Sequence, residues 1–321
     1  MIRAVNLGNN TERIIQVEEI KSISLSNVWL ELVDPAENEL QAVSDATQFP
    51  VNFLRLPKTV GYVNLRLEHG FGIINFPVMQ DVTSTKKAYP IVIAFSKNFL
   101  VTTAKNETQS IINTVKERMN KTKVDPPSQV TYFIVDEIVS THYIQIEKLE
   151  NLTGKMEEEV VEKTSSDTLK KIFRLKSNMI SFNKILWYER GIIFNLHKCG
   201  DECVVAKARE LFDTTHEDLT RQIDIVETYR EILSDAINVH LSAISNKINL
   251  SIKALTVVIF YLTIVTTVTS FPNTIATFFG ISQFGNTNII IISGAILASI
   301  VLPLIWLWRK NWLTSKRLDY A

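Results

Sequence analysis

A line of hydroxyl and carboxamide side chains runs through the most apolar part of this sequence. Steps of three and four from Asn249 give Ile252, Thr256, Ile259, Thr263, Thr266, Ser270, Asn273, Thr277 and Gly280. Seven of these ten positions are Asn, Ser or Thr, in a segment otherwise built of Val, Ile, Leu and Phe. Neutral oxygen-bearing side chains bind weakly and reversibly, the chemistry of passage rather than of bond breaking. A spacing of 3.5 residues keeps one helix face turned toward a common axis when helices supercoil. The same frame continues backward through Ser245, Ser242, Asn238 and Asp235. Polar groups on one helix cannot be left facing lipid, so the stripe either packs against neighbouring helices or lines water. Several copies around an axis would make a narrow pore.

The elements that must position this stripe are membrane spans. From Ala254 to Trp308 there are 55 consecutive residues without Asp, Glu, Lys or Arg. A bilayer-spanning helix needs about 20 apolar residues, so the stretch holds two spans, 254–280 and 289–308. The uncharged loop 281–288 between them forces an antiparallel hairpin. Lys253 flanks the first span, and Arg309, Lys310, Lys316 and Arg317 follow the second. Positive residues favour the cytoplasmic side, which predicts both termini inside and the loop outside, with Trp306, Trp308 and Trp312 as an inner aromatic belt.

The rest of the chain reads as soluble protein. Thirty-four Lys and Arg balance 34 Asp and Glu, so there is no net positive field for nucleic acid. The N-terminus shows no signal-peptide pattern. Strands are predicted at 60–68 and 71–76, broken by His69-Gly70, and at 90–95 and 99–103. Asp34 and Pro35 suggest a helix N-cap and first position. Residues 1–125 thus form an α/β domain, and 126–253 are helices: 128–162, 167–198 and one from Asp201 onward without a breaker to Phe271. That last helix, about 70 residues, would exceed 100 Å and must be a stalk entering the membrane. Residues 309–321 are a basic tail.

Five short segments resemble the CorA family of divalent-cation channels, known chiefly for magnesium. Asn249-Leu250-Ser251-Ile252-Lys253-Ala254-Leu255-Thr256 is similar to the family's N-x-x-M-K-x-L-T, and Glu227-Thr228-Tyr229-Arg230-Glu231 to its stalk E-x-Y-R-E. Trp29-Leu30-Glu31-Leu32-Val33-Asp34-Pro35 resembles its W-I-D-L-x-x-P. Residues Pro272 to Gly280 resemble the end of its pore helix, and Trp308-Arg309-Lys310-Asn311-Trp312-Leu313 its basic tail. The resemblance implies a CorA-like homopentameric funnel in the plasma membrane, lined by the first span. No enzyme activity and no cofactor are implied; the transported ion would be a divalent cation, Mg2+ first. Asp213, Glu217 and Asp218 lie where it would place cation-sensing carboxylates on the stalk.

Two departures accompany it. The family's Gly-Met-Asn at the outer mouth is Gly280-Ile281-Ser282 here, and a serine hydroxyl is shorter and less polar than a carboxamide. Thr256 to Gly280 is also seven residues longer than usual, one heptad, which leaves the stripe in phase. A zinc or other divalent-metal transporter of the same fold, or a membrane-anchored scaffold that does not conduct, are the alternatives. Other residues point elsewhere only weakly. Cys199 and Cys203 with His197 lack the second ligand pair a zinc site requires. Met156-Glu157-Glu158-Glu159 with Glu162 reads as a solvated face, and His142, His197, His216 and His240 are scattered. There is no Gly-rich phosphate loop or nucleophile motif.

Overall fold

The computed structural model describes residues 1–58, 63–68, 70–83, 88–122, 127–162, 165–198 and 206–278, with positions 290, 294, 297, 298, 301 and 305. The chain divides into two compact units, Met1–Leu241 and Ser242–Ala321.

The first unit opens with strands β1 (Ile2–Asn6), β2 (Thr11–Ile15) and β3 (Val28–Val33), then helices α1 (Glu37–Thr47) and α2 (Val51–Leu54). Strands β4 (Asn64–Glu68), β5 (Phe71–Met79), β6 (Ala88–Ser96) and β7 (Phe99–Ala104) follow. They form one sheet ordered β2-β1-β3-β7-β6-β5-β4. Only β3 and β7 pair in parallel, with Val28 opposite Phe99; the other neighbours are antiparallel. The two expected hairpins are β4–β5 and β6–β7. The strands β1 and β2 carry no comparable sequence signal: β2 is an edge strand with four of its five residues exposed.

Burial on both faces explains why the central strands are apolar almost without interruption. Alternate residues Ile74, Phe76, Ile91, Ile93 and Phe95 join Trp29 on one face, in a core shared with α3 (Gln109–Lys121) and α4 (Pro127–Glu162). Leu30, Leu32, Val92, Ala94 and Val101 point the other way, into a core shared with Leu40, Val43 and Leu54 of α1 and α2. Trp29 is fully buried and its indole N–H donates to Thr102 Oγ1 at 2.9 Å. Glu31, on the same face and equally buried, accepts from Lys116 Nζ and Gln109 Nε2, each at 2.6 Å. A buried carboxylate is tolerable only when paired in this way. Near the start of β5, Gly72 is required for space, because a Cβ there would lie 2.4 Å from the Phe95 ring.

Two local expectations fail together: α1 begins at Glu37, so Pro35 lies ahead of the helix and not at its first position. Asp34 is not the N-cap of α1; it adopts a left-handed conformation (φ 43°), and its carboxylate accepts the Asn106 N–H at 3.0 Å. The cap is Ala36, whose N–H is taken by Glu39 at 2.8 Å. This is the reciprocal half of a capping box: the N3 carboxylate takes the cap residue's own N–H, while Ala36 has no side-chain oxygen to accept from the first N–H groups of the helix.

Three long helices complete the picture: α4, α5 (Ser166–Lys198) and α6 (Ala206–Phe278). Ile172, Leu175, Met179, Phe182, Ile185 and Leu186, the apolar series expected at helical spacing, are all buried on α5. They meet Ile138, Ile146 and Leu149 of α4 and Phe212, Leu219, Ile223 and Val226 of α6 in one core. Trp29→Ala should cost about 3–5 kcal/mol, since it opens a cavity and strands Thr102. Chemical denaturation followed by far-UV circular dichroism checks this; a loss below about 1 kcal/mol would mean the tryptophan is not a keystone of the sheet.

Candidate functional site

The polar stripe lies in the second unit, on the part of α6 from Ser242 onward. All nine described positions, Asn249, Ile252, Thr256, Ile259, Thr263, Thr266, Ser270, Asn273 and Thr277, are exposed. At 3.6 residues per turn they fall within an arc of about 120°. Between Asn249 and Thr277 the half-buried positions among the described residues, Lys253, Val257, Ile264 and Val268, share a different arc centred about 130° away. The contacts that this segment makes within its own unit therefore leave the stripe uncovered. The helix carries an apolar stretch long enough to cross a bilayer, and none of it is buried.

The hydroxyls have a definite polarity. Thr256 donates to the Ile252 carbonyl at 2.8 Å, Thr263 to Ile259 at 2.8 Å, and Thr277 to Asn273 at 2.7 Å. Thr266 donates in the same way to Leu262. Each hydroxyl has one proton, so bonding it back one turn leaves only oxygen lone pairs on the outward side. Asn273 adds a carboxamide and Ser270 a hydroxyl. An acceptor-rich surface of this kind suits the outward-pointing hydrogens of water bound to a cation, and suits an anion poorly.

Spacing alone missed two neighbours. Thr267 and Thr274 line a shallow concavity with Thr266, Ser270 and Phe271. They bond back to Thr263 at 2.7 Å and Ser270 at 2.8 Å. The series of threes and fours excludes them because each stands one residue beyond a stripe position. The outer-mouth residues Gly280, Ile281 and Ser282 lie outside the described residues, as do Cys199 and Cys203.

The stalk carboxylates do not converge within one chain. Asp213 pairs with His197 Nδ1 at 3.0 Å and Asp218 with Arg221 at 3.6 Å, while Glu217 is exposed. Among the described residues no group of three or more His, Cys, Asp or Glu side chains is placed to hold a metal. The Glu227–Glu231 segment anchors the helix instead. Glu227 accepts from Asn183 of α5 at 2.8 Å and pairs with Arg230, also at 2.8 Å. The Tyr229 hydroxyl is pushed above its ordinary pKa by burial, reinforced by the charge of Glu150 on α4. Between α4 and α5, the fully buried His142 and Glu189 meet at 2.7 Å. These contacts organise the helices.

Residues 24–310 match the family described as CorA-like Mg2+ transporter protein. The chain belongs to this family. Its members are divalent-cation transporters and not enzymes. A cobalt/magnesium transport protein CorA of Thermotoga maritima is 28% identical over 40% of this chain, a match that spans 36% of that protein's own length. The complete structure of the CorA magnesium transporter of Methanocaldococcus jannaschii superposes with a TM-score of 0.71 at 18% identity, covering 97% of this chain and 98% of that one. The cytoplasmic domain of ZntB from Vibrio parahaemolyticus gives 0.59 at 13% identity, covering 76% and 98%. At these identities the two structures establish the fold: a CorA-like α/β domain followed by a long helix apolar enough to span a membrane. In this CorA-family chain, Trp29 and Glu31 of the N-terminal segment are core residues, and Glu227 and Tyr229 of the stalk segment tie α6 to α5 and α4.

Proposed function

We propose that this chain is a passive divalent-cation channel of the plasma membrane, a homopentamer whose five stripes enclose the pore and whose preferred ion is Mg2+. The observation that carries the reading is the stripe itself: nine exposed positions, turned away from the helix's own half-buried face, with threonine hydroxyls that present acceptors outward. Mg2+ sheds its water reluctantly, so a lining that accepts from the hydration shell suits it better than a cage of ligands. The membrane potential is a sufficient driving force, worth about 2.3 kcal/mol per charge per 100 mV and twice that for a divalent ion. Spans at 254–280 and 289–308 would put the loop 281–288 outside and the domain 1–125, helices 126–253 and tail 309–321 in the cytoplasm. Asp213, Glu217 and Asp218 would sense cytosolic cation only together with groups from a neighbouring subunit.

A zinc or other divalent-metal transporter is the second reading. It is favoured by the likeness to the ZntB domain; Gly280-Ile281-Ser282 departs from the magnesium family's mouth without matching that of the zinc-transporting relatives, which keep the Asn.

Purified protein in liposomes, tested with a panel of Mg2+, Co2+, Zn2+ and Na+ under an imposed potential, decides among these. Mg2+ flux that saturates at a lower concentration than that of the other ions supports the first reading, and zinc preference supports the second. No flux of any ion from a folded pentamer would identify a scaffold. A cysteine replacing Asn286 should react with an impermeant thiol reagent from outside only; labelling confined to the inside would overturn the topology.

A further inference from the structure

On α5, within the first unit, Phe173, Ile180, Trp187 and Phe194 stand at seven-residue intervals and are 53, 49, 49 and 44% exposed. Single exposed apolar residues need no explanation, but four large ones in register do. At 3.6 residues per turn they fall within about 60° of arc, a narrow seam rather than the broad apolar face of a helix lying in a membrane surface. Ser177, Lys184, Gly191 and Lys198 interleave with them on the same side. The Arg190 guanidinium sits 3.9 Å from the Trp187 ring centre, and Lys198 Nζ sits 4.1 Å from that of Phe194. Gly191 is exposed, and a Cβ added there would meet nothing within 4 Å, so the seam has an open hole between Trp187 and Phe194.

A closed ring of five identical chains has heterologous interfaces, in which one face of each chain meets a different face of the next. The chain must then carry two complementary faces, and α4 and α5 supply them. α5 has seven Lys and Arg against two carboxylates, one of which is Glu189, buried against His142. α4 has eight carboxylates against two lysines, with Tyr143, Glu147, Glu157, Glu158 and Val161 exposed. Within the chain the two helices share the ion pair Lys171–Glu159. Among the described residues Lys184, Arg190, Glu147 and Glu157 take part in no ion pair.

Resting on the pentameric reading above, we propose that the Phe173–Ile180–Trp187–Phe194 seam of α5 docks on the acidic outer face of α4 in the next copy of the chain. Apolar knobs in the seam supply the attachment, and the opposite charges set which faces meet and in which direction around the ring.

The test is native mass spectrometry of the full chain in mild detergent across a dilution series. Gly191→Trp fits a single chain and fills the hole. It should raise the protein concentration at which half the chains are in rings at least about tenfold, with helical content unchanged. The pair Lys184→Glu with Arg190→Glu should do the same, and adding Glu147→Lys with Glu157→Lys should restore the rings. A wild-type chain that forms no pentamer would overturn the assembly reading itself. Wild-type pentamers left intact by both Gly191→Trp and the charge reversal would overturn this inference alone. Intact pentamers that lose bound anionic lipid in those variants would also overturn it, and would give the seam to the membrane.

Discussion

Asn273→Leu should leave an intact pentamer whose cation flux falls by about tenfold or more, whereas Val268→Leu should conduct at close to the wild-type rate. Asn273 is exposed on the stripe, one turn beyond Ser270, whereas Val268 belongs to the half-buried arc. In a ring of five, the Asn273 amides would form one polar layer in a helix surrounded by Val, Ile and Phe. Five leucines at that level would replace it with a hydrophobic constriction, which a hydrated ion crosses poorly because the water column breaks. Each tenfold loss corresponds to about 1.4 kcal/mol of added barrier, a modest demand on five substitutions made at once by symmetry. Leucine is at home in a membrane helix, so assembly is preserved. Flux of Mg2+ into liposomes, normalised to pentamer measured in the same preparation, reads the result. Equal flux through both variants would show that the stripe packs against other helices and lines nothing.

The comparison of Asn273 with Val268 rests on a distinction that the residue series only half discloses. The series of threes and fours from Asn249 marks one face as polar, and that face lies away from the few half-buried positions between Asn249 and Thr277. It does not say which way the threonine protons point. That depends on the carbonyl one turn earlier being free to accept, which Thr256, Thr263 and Thr277 each exploit. The helices were legible because α4, α5 and α6 are long and their apolar period is uninterrupted; the buried run Ile172 to Leu186 matches it residue for residue. The sheet was legible where turns punctuate it, at the β4–β5 and β6–β7 hairpins. Strand β2 was not, because an edge strand exposed on four of five residues owes its existence to β1 and not to its own composition. Asp34 failed for a tertiary reason. Its carboxylate is recruited by the Asn106 N–H from 72 residues away, and Glu39 reaches back only to the Ala36 N–H ahead of the helix. The α5 seam escaped notice because its apolar residues look like core until the core is seen to be complete without them.

At the outer mouth the governing residue should be Ser282. With Asn in its place, preference for Mg2+ over Na+ and over larger divalent cations should rise by about tenfold; with Ala it should fall below that of the parent chain. A hydroxyl reaches one bond beyond Cβ with a single oxygen that both donates and accepts, whereas a carboxamide reaches a bond further and carries a strongly polarised carbonyl acceptor beside its NH2 donor. Five carbonyls at the mouth would engage the six tightly held waters of Mg2+ together, and would grip Na+ or a larger, loosely hydrated ion less well. A serine ring would leave a wider opening with weaker dipoles, so ions would be ranked less sharply there. Removing even the hydroxyl would take away the side-chain acceptor at that level. The readout is the ratio of fluxes in a mixed-ion liposome assay, which is insensitive to how much protein is active. Should the ratios stay the same in Ser282→Asn and Ser282→Ala, selection would lie deeper in the span, and Asn273 would be the next ring to alter. Should Ser282→Asn shift preference toward Zn2+ instead, the zinc reading would gain, because the mouth would then be choosing for a metal that exchanges its water readily.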